Sequence, residues 1–110
     1  MRAARLRRGE DIAHVRAHGI ARNDRLFSLR AVTTDLAAVR VAVASSRAVG
    51  GAVKRNRARR RLREALRQAL APRGSHAGAD VLVIARPAAL SATAGEVREA
   101  MARELDRVLA

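Results

Sequence analysis

Cysteine is absent from the 110 residues, which excludes disulfides and thiolate metal sites. Aromatic side chains are almost absent as well, Phe27 being the only one. A core must therefore rest on Val, Leu, Ile and Ala, and nucleobase stacking has next to no rings to use. Lysine is reduced to Lys54, so arginine supplies the other 22 of the 23 basic residues. Acids are scarce, with Asp and Glu together numbering 10. No apolar run approaches the roughly 20 residues of a membrane span. The opening MRAARLRRGEDI is basic but has no apolar stretch behind it, so it does not read as a secretory signal and the cytoplasm is the default location.

What remains is a chain of one-domain length, residues 1–110, with 49% hydrophobic residues and a formal charge of +13. The apolar fraction favours a folded protein over a disordered one, though its alanine content predicts a thin core. So lopsided a charge costs stability through self-repulsion, and it implies a polyanionic partner. Arginine suits that role because its planar fork pairs with phosphate.

Residues 1–8 are basic and expected to be loose. A short helix is predicted over 10–18, with Ile12 and Val15 inward and Gly19 as its stop. Phe27, Leu29 and Ala31 alternate with Ser28, Arg30 and Val32 as in a strand, and Thr33, Thr34 and Asp35 make a turn. Val39, Val41 and Val43 mark another strand. After Gly50 and Gly51 a long helix is predicted over 52–70, its apolar stripe formed by Ala58, Leu62, Ala65, Leu66, Ala69 and Leu70. Pro72 and Gly74 end it, and 75–78 is a loop. A buried strand over 81–85 lies between Asp80 and Pro87, and a last helix spans 96–109 with its charged face solvated. The order implies an α+β sandwich of helices against a sheet.

The segment 54–63 carries seven positive charges in ten residues, and over 47–73 the single acid is Glu64. Like charges at helical spacing repel, and this run lacks the alternating signs of a comfortably solvated face. Phosphates would relieve it. A membrane-surface helix would need bulky apolar anchors, which are missing here.

Arg55, Asn56, Arg57, Ala58, Arg59, Arg60, Arg61, Leu62 and Arg63 together resemble the RNR signature of the bacterial ribonuclease P protein family. Upstream, the run from Arg40 through Ser45, Ser46 and Arg47 to Val53 resembles that family's strand ending in Ser-Lys-Lys followed by an aliphatic, Gly, Asn, Ala and Val. Downstream, Asp80-Val-Leu-Val-Ile-Ala-Arg-Pro resembles its acid-aliphatic-Ala-Arg strand. Leu6-Arg-Arg-Gly-Glu-Asp and Ala17-His-Gly resemble its opening and its His-Gly turn. The resemblance runs in order over nearly the whole chain.

The resemblance implies an α-β-β-β-α-β-α two-layer sandwich with a mostly antiparallel sheet and a left-handed crossover through the basic helix. It implies a subunit that promotes maturation of the precursor tRNA 5′ end, with the RNA subunit carrying catalysis and holding Mg²⁺. The protein alone would be inactive and would bind no cofactor through a motif of its own. Its partners would be ribonuclease P RNA and precursor tRNA, with no membrane and no further protein. Residue by residue, Arg55, Asn56, Arg57, Arg59, Arg60 and Arg63 would face the RNA subunit, with Arg61, Arg67, Arg47 and Lys54 extending the patch. A cleft for the 5′ leader, between the first helix and the sheet, would be lined by Ile12, Arg16, Phe27 and Arg30. The family commonly has aromatics where this chain has Ile12, Arg16 and Arg30, so leader binding leans on charge. Ala48 and Gly51 replace the second Lys and the Asn, which trims the phosphate contacts.

Other signals are weaker. His14 and His18 have chelating spacing but no third ligand in view. Glu10 and Asp11 sit at a helix start, where acids favour the dipole. A general RNA-binding or ribosomal-type protein is the alternative, distinguished by equal affinity for unrelated RNAs and no effect on tRNA processing. An autonomous nuclease would need clustered carboxylates or a catalytic His, and neither is evident.

Overall fold

The computed structural model describes residues 3–73 and 78–109. Strands β1 (Ala4–Arg5), β2 (Ile20–Asn23), β3 (Phe27–Thr33), β4 (Val39–Ser45) and β5 (Ala79–Ala85) form one sheet in the order β1-β4-β5-β3-β2. The helices are α1 (Gly9–His18), α2 (Ala52–Leu70) and α3 (Ala94–Leu109). β4 and β5 are parallel neighbours joined through α2, whereas β5 pairs antiparallel with β3, and β3 with β2.

Side-chain alternation assigns the two faces. Phe27, Leu29 and Ala31 of β3, Val39 of β4, and Val81, Val83 and Ala85 of β5 join the buried stripe of α2 and Val97, Met101 and Leu105 of α3 in the main core. On the other face Leu82 meets Val15 of α1 and Leu6, with Ile12, Val32, Ala42 and Ile84 at the margin. The sheet thus carries α1 on one face and α2 with α3 on the other. It is also more mixed than a mostly antiparallel one, because β1 adds a second parallel pairing, Ala4 opposite Arg40 and Arg5 opposite Val41.

That pairing falls inside the stretch 1–8 expected to be loose. Leu6 is 3% exposed, and its amide donates to the Val41 carbonyl at 2.8 Å. A lone leucine among arginines gives no periodic signal. β2 also lacks one, since Ile20, Ala21, Arg22 and Asn23 form an edge strand with no buried residue. β5 starts two residues before its apolar run and takes in Asp80. This buried acid accepts a bidentate pair from Arg40 at 2.7 and 2.6 Å, and Asp11 of α1 lies 3.5 Å from the same guanidinium. The cluster ties α1 to the sheet. The expected loop at 75–77 and the stop at Gly74 lie outside the described residues.

Gly19 ends α1 without left-handed geometry, at φ −69° and ψ 150°. Space is what demands glycine there: a Cβ would stand 2.6 Å from the Val15 carbonyl oxygen and 3.1 Å from the Ala31 amide. Gly19→Ala is therefore expected to destabilise the fold by about 1–3 kcal/mol. A melting curve unchanged from the parent would refute the close approach.

α3 begins with a reciprocal cap. The Glu96 amide donates to Thr93 Oγ1 at 3.1 Å, and the Thr93 amide donates to Glu96 Oε1 at 3.0 Å. The α3 charges are thus not merely solvated as expected. Glu104 is 4% exposed and accepts from Arg22 at 3.0 Å, while Asp24 holds Arg103 at 3.0 Å. The Thr93 amide and hydroxyl hold the Glu96 carboxyl below its ordinary value, with Arg25 adding to the effect. A depressed folded pKa means stability that is present above the unfolded value of 4.5 and lost as pH falls through the folded one. Glu96→Gln should therefore flatten the fall in melting temperature below pH ~4.5. Parallel acid limbs for parent and variant would remove Glu96 from the account.

Candidate nucleic-acid interface

α2 presents its stripe of Ala58, Leu62, Ala65, Leu66, Ala69 and Leu70 to the core, as the spacing predicts. The opposite side is basic. Lys54, Asn56, Arg57, Arg60, Arg63 and Arg67 are exposed, and Arg55, Arg59 and Arg61 are half-buried. The helix has no acid in its first turn and no side-chain cap, so Lys54 and Arg55 sit against the positive end of its dipole. Just before it, Gly50 holds φ +132° and ψ −154°, a conformation essentially reserved for glycine, after the 3-10 turn Arg47–Val49. Arg47 is exposed on that turn.

The excess charge is local. Most carboxylates already have an arginine: Asp24 pairs with Arg103, Glu64 with Arg67, Asp80 with Arg40, Glu96 with Arg25, Glu104 with Arg22 and Asp106 with Arg73. Among the described residues no carboxylate pairs with Lys54, Arg57, Arg60 or Arg63. Partial burial, then the charges of Arg5 and Arg59, pull the Arg63 guanidinium below its ordinary value.

Other residues of the basic run are differently engaged. Arg61 turns inward and donates to the Ala92 carbonyl ahead of α3. Arg67 binds Glu64 through Nε at 3.1 Å, which raises Arg67 and lowers Glu64, Gln68 also contributing to the latter. Arg59 donates to Asn56 Oδ1. Among the described residues, the buried Nε atoms of Arg55 and Arg61 have no acceptor.

The cleft residues divide. Ile12 and Arg16 lie on α1, and Arg30 of β3 donates to the Arg16 carbonyl at 2.7 Å, so these three share one side of the sheet. Phe27 does not join them. It is 0% exposed in the core under α2 and α3, because the alternation that turns Arg30 toward α1 turns Phe27 away. On the α1 side, β5 parity continues from Asp80, Leu82 and Ile84 to Arg86, which donates to Asn23 Oδ1 at 3.0 Å. Sequence reasoning missed Arg86, although counting by twos from Leu82 would have found it. It missed Arg5 for lack of any strand signal.

No helix among the described residues is long and apolar enough to cross a membrane. No group of three or more His, Asp or Glu able to hold a metal ion occurs among them either. His14 and His18 only tilt against each other, with ring centroids 4.7 Å apart.

A family model described as Ribonuclease P matches residues 1–109. The chain belongs to the ribonuclease P protein family. Within the family, the ribonuclease P protein component of Dehalococcoides mccartyi is 40% identical over 93 residues, covering 84% of this chain and 74% of that protein. The ribonuclease P protein component of Caulobacter vibrioides is 40% identical over 83 residues, and the match covers 74% of this chain and about half of that protein's length, 55%. The RNase P protein from Thermotoga maritima shares the fold at TM-score 0.80 and 24% identity, covering 94% of this chain and 96% of that one. The Staphylococcus aureus RNase P protein does so at 0.75 and 21%, covering 99% and 100%. The family frame therefore joins the mixed sheet and the arginine-rich crossover helix seen here.

Proposed function

We propose that this chain is the protein subunit of a bacterial ribonuclease P, which binds the catalytic RNA through α2 and the 5′ leader of precursor tRNA on the α1 side of the sheet. The observation that carries this is the set of cations on α2 that no carboxylate answers among the described residues, within a chain of the ribonuclease P protein family. Lys54, Arg57, Arg60 and Arg63, with Arg55, Asn56, Arg59 and Arg47 beside them, place counter-charge where two RNAs must approach one another. Binding releases condensed counterions, so affinity falls steeply with salt. Arg61 and Arg67 contribute less, since each already has a protein acceptor.

On the leader side Arg16, Arg30 and Ile12 offer guanidinium planes and an aliphatic surface in place of rings. Phe27 supports that surface from beneath rather than lining it. The family's Mg²⁺ belongs to the RNA subunit, and no carboxylate cluster among the described residues fits it. The chain's own residues bind, orient and neutralise charge. On this reading the protein by itself cleaves nothing.

The deciding experiment is precursor-tRNA cleavage by a bacterial ribonuclease P RNA at low Mg²⁺, with and without the protein. The protein is expected to lower the Mg²⁺ requirement. Tight binding to the RNA with no change in cleavage would reduce the chain to a general RNA-binding domain.

A further inference from the structure

A groove of about 770 Å³ runs between β1 and α2, within the roughly 300–1,000 Å³ of small-ligand sites. Its floor is aliphatic, with Val41 and Val43 from β4 and Leu66 and Leu70 from α2. Its rim carries Arg5, Arg63 and Arg67. Among the described residues Arg5 and Arg63 have no carboxylate partner, and Arg63 is held below its ordinary value first by partial burial and then by the nearby charge of Arg5. An apolar floor under unanswered guanidinium groups matches a flat, apolar-faced group joined to an anion. A nucleotide has that form, with its base on the floor and its phosphate at the rim. The chain's one Phe is buried elsewhere and it has no Tyr or Trp, so base contact in the groove comes from aliphatic surface and guanidinium planes, which stack on bases. The groove is also continuous with the α2 surface, since Arg63 belongs to both.

We infer that the groove between β1 and α2 takes one unpaired nucleotide of the partner RNA, its base against Val43 and Leu66 and its phosphate between Arg5 and Arg63. The inference rests on the proposed binding of α2 to RNA and extends that interface to the N-terminal strand. β1 then does more than lengthen the sheet, since it carries Arg5 to the groove rim.

The test is Ala3→Trp, which fills the groove from a half-buried position on the same face as Arg5 without altering charge. Binding to a bacterial ribonuclease P RNA would be measured across a salt series, with base-specific chemical probing of the complex. Ala3→Trp is expected to weaken binding about 5- to 100-fold, as for loss of one stacked base, with an unchanged salt slope. One unpaired nucleotide protected in the parent complex should become reactive in that variant and stay protected with Arg57→Ala. Arg5→Ala, which leaves the groove open, should instead lower the slope by about one. It serves as the second variant if Ala3→Trp does not melt as a folded protein. Parent affinity and footprint for Ala3→Trp, or an unchanged slope for Arg5→Ala, would overturn the inference while leaving the α2 reading intact. If Arg57→Ala also binds as the parent does, the α2 reading itself fails.

Discussion

Replacing Arg57, Arg60 and Arg63 together by alanine is expected to weaken binding to a bacterial ribonuclease P RNA by about a hundredfold near 0.15 M salt. The figure takes about 1 kcal/mol for each lost charge–phosphate contact. All three are exposed on α2, and none has a carboxylate partner among the described residues, so in the free protein their charge is balanced only by solvent ions. The slope of log affinity against log salt should fall by roughly two to three units, since each contact contributes about 0.7–0.9. The fold should survive, with an unchanged or raised melting temperature, because removing like charges relieves repulsion along the helix. Arg61→Ala is the control on the same helix. It removes the bond to the Ala92 carbonyl, so it should lower stability and leave the salt slope nearly intact. Equal slopes for the parent and the triple variant would move the RNA surface away from α2.

The second large effect concerns the one aromatic residue. Phe27→Ala empties a fully buried site between the sheet and the α2–α3 layer and is expected to cost about 3–5 kcal/mol. Against a total of about 5–15 kcal/mol this is severe. At about 4–8 °C per kcal/mol, the melting temperature should drop by about 12 °C or more. Phe27→Leu keeps most of the volume and should retain affinity for a precursor tRNA leader once folded. A residue lining the leader cleft would behave oppositely, with leader affinity lost at constant stability. Measuring melting and leader affinity on both variants separates the two.

Phe27 also shows where sequence reasoning stops. The alternation from Phe27 to Ala31 defines a strand and its two faces, but not which face meets α1. That assignment needs the partner helices, and Leu82 opposite Val15 supplies it. Elements with a strong period were legible: the stripe from Ala58 to Leu70 gave α2 at its observed bounds, and Val39, Val41 and Val43 gave β4. Elements held by long-range pairing were not. β1 and β2 are short edge strands whose residues bury little, so no apolar pattern marks them. In the candidate interface, the basic run located the charge. Only the fold separates Arg57, Arg60 and Arg63, left without carboxylate partners among the described residues, from Arg61 and Arg67, which the protein already uses. Asp80 and Glu104 illustrate the reverse, since acids read as a strand border and a solvated face became buried partners of Arg40 and Arg22.

The order of strands in the sheet has a consequence for the growing chain. β3 and β4 follow one another in sequence yet never pair, because β5 lies between them and pairs with both along its full length. Until Ala79–Ala85 has been synthesised, β3 can pair only with β2, and an isolated hairpin is marginal in water. The arginines of α2 are therefore made before the strand that completes the sheet beneath them. A nascent chain at that stage is a polycation whose rate of folding is set by distant contacts. Pairing of β5 with β3 and β4, followed by packing of α3 on α2, completes the core beneath those arginines, so the helix surface reaches its folded form only late in synthesis.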